Sequence, residues 1–441
     1  MSAGKTIIIN CGATHVSGAV ASVRNHQLTL ESIVAEPLEY DFAAEGRWLG
    51  ALSAALKRVH QRRGFQGPAT YIAPGYQLLT KTLKVPSVDK SKQAQAIAFE
   101  AANNIPYPLA EVVWDYQIVA DDGVEVEVLL IVVRRESIDA FCAAITSSGG
   151  RPAGISGASI LDYNAYRLAF PGEQPDTLLI NVGARSTNLL FISGDSFKVR
   201  NIALGGNNLT QSIADNLGRS FAEAEHLKNH AFADGSLEAA DSATFSAIEG
   251  LVSSFLKKLG TDITRSVVNY RRQGSGSAPT RLLLCGRGSL LAGLGQHLQE
   301  TQKMPVETFD PLSGVELGAD VDLVGLGAYR HSLSEIVGEA ARLVQPDPVA
   351  IELLPQQLAS AMTFRRQKPF YAIAAAILAL AVVPPYLHFS KAKEAAALAN
   401  EGLEGAVAPI EQLHATILEE QAKAEYVAGK IDSLDRLVRS R

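Results

Sequence analysis

The chain has 441 residues, too many for one ordinary domain and suited to two or three. With 47% hydrophobic and 20% charged residues, its composition is that of a globular protein and excludes a disordered chain. The net charge of −6 argues against nucleic acid as the main partner, because binding phosphates needs a basic surface.

The N-terminus runs directly into an apolar segment and lacks the charged-then-apolar pattern of a signal peptide. We therefore expect the bulk of the protein to start and stay in the cytoplasm. Cys11, Cys142 and Cys285 are far apart and lack the spacing of a metal site. They are expected to be reduced core residues of a cytosolic domain.

An apolar strand followed by Asn-x-Gly-Ala occurs twice, at residues 6–13 and again 171 positions later at residues 177–184. Each copy continues through polar turns into two further predicted strands. These are residues 16–23 and 28–34 after the first copy, and 188–192 and 197–203 after the second. A repeat at this distance predicts two lobes of one ancestral design rather than a solenoid, whose periods are far shorter.

Glycine at a strand-to-strand turn lets backbone N–H groups approach an anion. Two such turns facing each other could therefore hold a phosphate chain from both sides. The residues that mark them are Asn10, Gly12 and Ala13 in the first copy, and Asn181, Gly183 and Ala184 in the second.

Three further elements follow the second turn. Gly205 and Gly206 precede a helix predicted over 209–217, and Glu225 and Lys228 share one face of a later helical stretch. An ordinary surface ion pair remains the alternative for that acid and base. A buried strand then ends in Gly286-x-Gly288 before a helix predicted over 290–298, where backbone can approach a base, ribose or phosphate.

Residues 370–389 carry no formal charge, and an apolar helix of that length spans a bilayer core of about 30 Å. Arg365, Arg366 and Lys368 precede it and place its N-terminal side in the cytoplasm. Pro384 and Pro385 come late in this stretch, so any break falls near the far boundary. A buried core helix is the alternative interpretation.

Beyond this stretch, apolar residues repeat with the seven-residue spacing of a coiled coil. One seam position is filled by Ile410, Ile417, Ala424, Ile431 and Val438, and the other by Leu413, Val427 and Leu434, with Glu420 as the misfit. Pro409 is expected to mark the start of this helix. An amphipathic helix on another surface stays open as the alternative.

Two phosphate turns, a later Gly-x-Gly turn and an Ala-Glu-x-x-Lys helix, in this order, resemble the actin-like ATPase superfamily over about residues 5–335. Within it the chain most resembles the type IV pilus assembly family PilM. Residues 99–109 resemble that family's E-A-x-x-x-I-P-Y-P-L stretch, and residues 204–214 resemble its G-G-N-x-L-T segment. The resemblance implies a two-lobed α/β, ribonuclease H-like fold with an inserted α+β subdomain over about residues 80–151.

A second resemblance concerns the segment before the apolar stretch. Ile351, Glu352, Leu353, Leu354 and Pro355 resemble the I-N-L-L-P peptide of the PilN family, with Glu352 where that family usually has Asn. In that family the peptide docks onto PilM. The resemblance implies that a docking peptide and its receptor are fused here, so that residues 351–355 bind their own domain or a neighbour's, by edge pairing or by burying Ile351 and Leu354.

In superfamily members that hydrolyse ATP, the first residue of both phosphate turns is Asp, and here both are amides, Asn10 and Asn181. An amide carries no charge for the Mg²⁺ shell and cannot act as a base. Binding of ATP with Mg²⁺ at the glycine turns stays open, while hydrolysis is disfavoured. No acidic residue stands in either turn, and an active actin-fold ATPase would need one placed near the phosphates.

The expected domains are an actin-like domain over 1–335, a linker with the docking peptide over 336–368, a transmembrane helix over 369–389 and a periplasmic coiled-coil helix over 390–441. The layout is similar to that of GspL of type II secretion. We expect a homo-oligomeric assembly subunit of the bacterial inner membrane, with a PilO-like partner for the periplasmic helix. A cell-division membrane tether of the FtsA type remains the alternative.

Overall fold

The computed structural model describes residues 4–40, 45–233, 242–272 and 277–439. The strands are β1 Thr6–Cys11, β2 His15–Arg24, β3 Gln27–Pro37, β4 Pro68–Ala73, β5 Leu79–Pro86, β6 Val112–Asp121, β7 Glu125–Arg134, β8 Arg151–Gly157, β9 Thr177–Val182, β10 Thr187–Ser193, β11 Ser196–Ile202, β12 Arg281–Cys285, β13 Val306–Thr308 and β14 Glu316–Leu317. The helices are α1 Trp48–Gln61, α2 Lys90–Asn104, α3 Arg135–Ser147, α4 Ala158–Ala169, α5 Gly206–Leu217, α6 Phe221–Ala233, α7 Ser242–Arg272, α8 Leu294–Gln302, α9 Leu323–Leu326, α10 Ser334–Ala341 and α11 Gln356–Arg439.

Two mixed sheets repeat one arrangement. In the first, β1 pairs antiparallel with β2 and parallel with β4, in the order β14-β3-β2-β1-β4-β8. In the second, β9 pairs antiparallel with β10 and parallel with β12, in the order β11-β10-β9-β12-β13. The register corresponds as well, since Asn10 lies opposite Ser17 and Asn181 opposite Asn188. The two lobes predicted from the sequence repeat are therefore present.

Burial explains why the first strand of each lobe is almost wholly apolar. Apart from Thr6, every residue of β1 is buried, as is every residue of β9, because helices cover the sheets. In the second lobe, α5 and α7 contribute Ile213, Leu259 and Ile263 to a single core with the strands. The three cysteines are buried free thiols, as predicted.

A third sheet, β5-β7-β6, lies between β4 and β8 in the sequence. Together with α2 and α3, this sheet falls in about residues 80–151, the range that the resemblance implies for an inserted α+β subdomain. The Val126, Val128 and Leu130 face of β7 packs with Ile97 of α2 in a separate core. These residues alternate along β7, which is why one face of that strand can pack against a single helix.

The expected linker, residues 336–368, instead begins inside a buried helix, α10. All residues of α10 but one are buried, and a Cβ added at Gly338 would lie 1.9 Å from the carbonyl oxygen of Leu161. This close approach of α10 to α4 requires glycine. The apolar spacing of Ile336, Val337 and Ala340 is the helical signal that the linker interpretation overlooked. The folded part continues through the segment 349–355, described below.

The C-terminal unit is one helix, α11, of 84 residues. From Phe370 it is long and apolar enough to cross a membrane, with a mean hydropathy of 2.0 over its most apolar 18 residues. The helix begins at Gln356, within the range expected to be linker. The side chains of Arg365, Arg366 and Lys368 lie outside the described residues.

The helix start predicted at Pro409 is wrong, because α11 runs through this proline, as it runs without a break through Pro384 and Pro385. Each proline removes one helical hydrogen bond, and the turns on either side keep theirs. The predicted seam is exposed along the helix, with Ile410 65%, Ile431 61% and Leu434 60% exposed. Whether this seam forms a coiled coil stays a prediction.

Candidate functional site

The two glycine turns have the same local geometry. A Cβ added at Gly12 would lie 2.8 Å from the carbonyl oxygen of His15, and one added at Gly183 would lie 2.9 Å from that of Ser186. The second turn is closed by a hydrogen bond from the Gly183 N–H to the Ser186 oxygen, at 2.9 Å. Both turns therefore require glycine for the same reason.

The turns meet at a cleft of about 620 Å³, a size typical of small-molecule and cofactor sites. All predicted cofactor-binding residues except Gly205 line it. They are Asn10, Gly12, Ala13, Asn181, Gly183, Ala184, Gly206, Glu225, Lys228, Gly286 and Gly288. Gly205 is the N-cap of α5, whose first turn donates from the Gly206 N–H to the Gly183 oxygen at 3.0 Å. The structure thus brings separate sequence motifs to one place.

The predicted acid–base pair of α6 is part of this cleft and not an ordinary surface pair. Lys228 donates to Glu225 at 2.6 Å and to the Thr210 hydroxyl at 2.7 Å, and its side chain is 12% exposed. Burial lowers the pKa of Lys228. Burial opposes the charge of Glu225 as well, but the Lys228 ammonium and the Thr210 hydroxyl hold the pKa of that carboxyl below its usual value.

The Gly-x-Gly turn after β12 forms another wall of the cleft. Gly286 has a φ of +79°, and a Cβ there would lie 2.4 Å from the Asn181 Oδ1 atom, so a larger residue is excluded on two grounds. The helix predicted over 290–298 is displaced: a 3₁₀ turn covers Arg287–Leu290, and α8 starts only at Leu294. The positive φ of Gly293 separates the two.

Basic side chains line the cleft beside the turns. Arg287 and Arg185 are among its lining residues, and the Arg185 guanidinium lies 5.0 Å from the centre of the Tyr76 ring. Burial, with the Arg287 charge nearby, lowers the pKa of His15 to about 4, so its ring is neutral at pH 7. The cleft therefore presents Lys228 and two guanidinium groups to an anionic ligand.

Glu335 lies at the floor of the cleft and Asp162 lies behind it, and neither acid was singled out from the sequence. Asn10 donates to the Glu335 carboxyl at 2.5 Å, and Asn181 donates to the same carboxyl at 3.3 Å. Asn181 also donates to both Asp162 oxygens at 3.1 Å, with Asn188 and Ser334 as further donors to Asp162. Burial and the Asp162 charge raise the pKa of Glu335 to about 8, and burial raises the pKa of Asp162.

The residues present fit a nucleotide with Mg²⁺. The glycine turns and the basic side chains suit phosphates, and Glu335 offers a carboxyl group at the floor, which would lose its proton on binding a cation because its pKa is raised to about 8. Within the described part of the chain, no three His, Cys, Asp or Glu side chains meet as a metal cage. That is compatible with Mg²⁺, which is commonly held by one or two carboxylates together with substrate phosphates and water.

The second feature is the segment 349–355, which is seated on the first lobe and the inserted sheet. Ile351 and Leu353 are 1% and 0% exposed, and Leu354 is 8% exposed. The Leu353 N–H donates to the Ile155 carbonyl of β8 at 2.7 Å, and the Glu352 N–H donates to Asp115 of β6 at 2.9 Å. The segment therefore combines one backbone bond at a sheet edge with buried apolar side chains.

Glu352 is held by backbone donors. Its carboxylate accepts from the Ile155 N–H and from the Leu354 N–H, both at 2.8 Å. A Cβ at Gly154 would lie 2.8 Å from this carboxylate, so the glycine of β8 leaves room for it. Upstream, Asn164 donates to the Val349 oxygen at 2.9 Å and accepts from the Val349 N–H at 3.0 Å.

A family model described as type IV pilus assembly protein PilM matches residues 9–342, more than half of the chain. The chain belongs to the PilM family. The match ends just after α10, so the family domain includes the helix that carries Glu335.

One solved structure supports the actin-like α/β fold of this PilM-family chain, and two others are more distantly similar. A PilM–PilN type IV pilus biogenesis complex superposes with a TM-score of 0.64 at 22% identity, covering 78% of this chain and 99% of that one. The ethanolamine utilization protein EutJ from Carboxydothermus hydrogenoformans gives 0.41 at 11% identity, covering 77% and 90%. The cytoplasmic domain of EpsL, an inner membrane component of the type II secretion system of Vibrio cholerae, gives 0.37 at 8% identity, covering 78% and 97%.

We expect the raised pKa of Glu335 to make the stability of this PilM-family domain depend on pH. An acid whose pKa is higher in the folded than in the unfolded chain binds more protons when folded, so its contribution to stability is lost as the pH rises between 4.5 and about 8. We expect the melting temperature to fall between about pH 5.5 and about pH 8.5, and Glu335→Gln to flatten this fall. Scanning calorimetry at both pH values measures it; equal slopes in the two proteins would contradict it.

Proposed function

We propose that the chain is an inner-membrane assembly subunit of a type IV pilus or a related type II secretion machine, which couples cytoplasmic components to a periplasmic partner. The observation that carries the proposal is the segment 349–355, buried on the chain's own family domain and followed at once by α11. In the PilM–PilN complex the two proteins are named as separate partners. Here one chain supplies both the domain and the docked peptide.

The membrane crossing follows from α11. About 20 apolar residues span a bilayer core, and the stretch from Phe370 meets that need. The helix then continues to Arg439, about 75 Å beyond Phe389 at 1.5 Å per residue. The family domain is cytoplasmic in this proposal, and the helical tail is periplasmic.

Topology can be tested on the full chain with a tag after Arg441. We expect the protein to stay in the membrane pellet at alkaline carbonate, with the tag digested from outside in spheroplasts and the family domain protected. Release by carbonate would favour a peripheral tether of the FtsA type. Digestion of the family domain in intact spheroplasts would contradict the proposed orientation.

The cleft is proposed to bind ATP with little or no hydrolysis. Its volume, glycine turns and basic side chains support binding, and amides at the start of both turns disfavour turnover. Equilibrium binding of ATP to the full-length protein in nanodiscs tests the first part. Phosphate release at a steady catalytic rate would overturn the second and make Glu335 the candidate carboxylate of an active ATPase.

The periplasmic helix is proposed to bind a different helix, of the PilO type, as well as its own kind. Glu420 occupies a seam position where Leu413 and Leu434 stand in other layers, and it pairs with Lys423 of its own helix at 3.0 Å. In a parallel dimer of identical helices, two copies of Glu420 would face each other. That layer is therefore expected to weaken self-association.

Glu420→Leu is expected to tighten self-association of the full chain in detergent on the order of tenfold, because it replaces two opposed carboxylates by apolar contact. Sedimentation equilibrium measures the change. Glu411→Leu, next to the seam but outside it, is the control and should leave the association constant unchanged. Equal effects of the two substitutions would show that the heptad seam is not the interface.

A further inference from the structure

At the floor of the cleft, the amide side chains of the two turns hold the carboxyl group of Glu335 in place. Asn10 comes from β1 of the first lobe, Asn181 from β9 of the second, and both donate their side-chain N–H groups to Glu335. A carboxylate at either turn position would lose that donor and face a second carboxyl. The amides are thus the complement of an acid contributed by α10.

Glu335 is also the acid placed to meet a ligand. Among the described residues that line the cleft, the acidic ones are Glu225 and Glu335. Glu225 is paired with Lys228 at 2.6 Å, whereas the hydrogen-bond partners of Glu335 are neutral amides. Asp162 is 1% exposed and lies behind Asn181. It accepts hydrogen bonds from Asn181, Asn188 and Ser334.

A bound nucleotide would add negatively charged phosphates and a divalent cation to the cleft. Its phosphates would be met by the backbone of the turns and by Lys228 and Arg287, which line the same cleft. A divalent cation that accompanies phosphates prefers carboxylate oxygen to amide oxygen. With the amide N–H groups committed to Glu335, the carboxyl of Glu335, once it has lost its proton, is the ligand that the described lining of the cleft offers to the cation or to its water shell.

We propose that Glu335 is the cation-facing carboxylate of this cleft, and that carboxylate and amide have exchanged places between the turns and α10. The inference rests on the proposed nucleotide binding and names the residue through which a divalent cation would act on it. If so, a variant with an acid at position 10 and an amide at position 335 should depend on Mg²⁺ for ATP binding as the natural protein does.

The test is the affinity of full-length protein in nanodiscs for ATP, with Mg²⁺ and with EDTA, by calorimetry. Mg²⁺ is expected to tighten binding by the natural protein on the order of tenfold, and Glu335→Gln to remove that dependence while binding in EDTA changes little. The exchanged variant, Asn10→Asp with Glu335→Gln, should recover the dependence. Electron paramagnetic resonance of Mn²⁺, used in place of Mg²⁺, measures cation binding directly. It should show the same loss in Glu335→Gln and the same recovery in the exchanged variant, without any ATP turnover.

The outcomes separate the claims. If Glu335→Gln binds ATP and keeps the full Mg²⁺ effect, the role of Glu335 is wrong while nucleotide binding stands. If the natural protein binds ATP equally well with Mg²⁺ and EDTA, the cleft has no cation-facing group and the inference is overturned. If the natural protein binds no nucleotide under either condition, the proposed nucleotide site fails and this inference fails with it.

Discussion

Asn10→Asp, the substitution that would seem to restore an ATPase turn, is expected to destabilise the family domain on the order of 3 kcal/mol at about pH 8. The Asn10 side chain is 5% exposed and donates to Glu335 at 2.5 Å. The substitution removes the donor and places two carboxyl groups in contact, so one of them must take up a proton. The cost should therefore shrink toward about pH 5. Thermal and urea unfolding at both pH values measure it.

The partner substitution distinguishes this explanation from a general intolerance of the turn. Glu335→Gln in the Asn10→Asp background supplies an amide donor to the new carboxylate, and we expect it to recover most of the lost stability. Asn103→Asp, the same change at an exposed position of α2, is the control and should be nearly neutral. An Asn10→Asp variant as stable as the natural protein at alkaline pH would contradict the described floor of the cleft.

Ile351→Asp combined with Leu354→Asp is expected to release the segment 349–355 from the family domain. The two side chains are 1% and 8% exposed, and burying an unpaired carboxylate costs several kcal/mol. We expect limited proteolysis of the full chain to cut between α10 and α11 much faster than in the natural protein. The domain itself should stay resistant to the protease.

Leu343→Asp is the matched control, since it introduces the same carboxylate in the same connection at a side chain that is 41% exposed. It should leave the cleavage rate within about twofold of the natural protein. Calorimetry of the double variant shows whether the domain is still folded. Unchanged protection of the segment in a folded double variant would mean that the docking has been misassigned.

The sequence was enough to predict the lobes and most of the cleft, because these features have local signals. The Asn-x-Gly-Ala repeat marks two turns in which the glycine lies against the carbonyl oxygen of the residue three positions later. Glu225 and Lys228 could be paired because a helix brings residues three apart onto one face. Gly286 could be singled out since it follows a buried strand, although its positive φ became visible only in the structure.

The acids of the floor have no such signal. Asp162 is the one acidic residue of α4, and Glu335 is one of two in α10. Most of the second lobe separates them in the sequence, and only the fold brings them to Asn181. Neither phosphate turn contains an acidic residue, as expected, but Glu335 from α10 lines the same cleft. Missing the helix α10 and missing Glu335 were one error, because that helix carries the residue.

The central claim is that the segment 349–355 is docked on its own domain in the membrane-embedded protein, and hydrogen–deuterium exchange of the full chain in nanodiscs tests it most directly. The account predicts slow exchange of the Leu353 and Leu354 amides, which are bonded to Ile155 and Glu352 at 2.7 and 2.8 Å. It also predicts that Ile351→Asp with Leu354→Asp abolishes this protection. Exchange of these amides in the natural protein at the rate of an unstructured peptide would contradict the account.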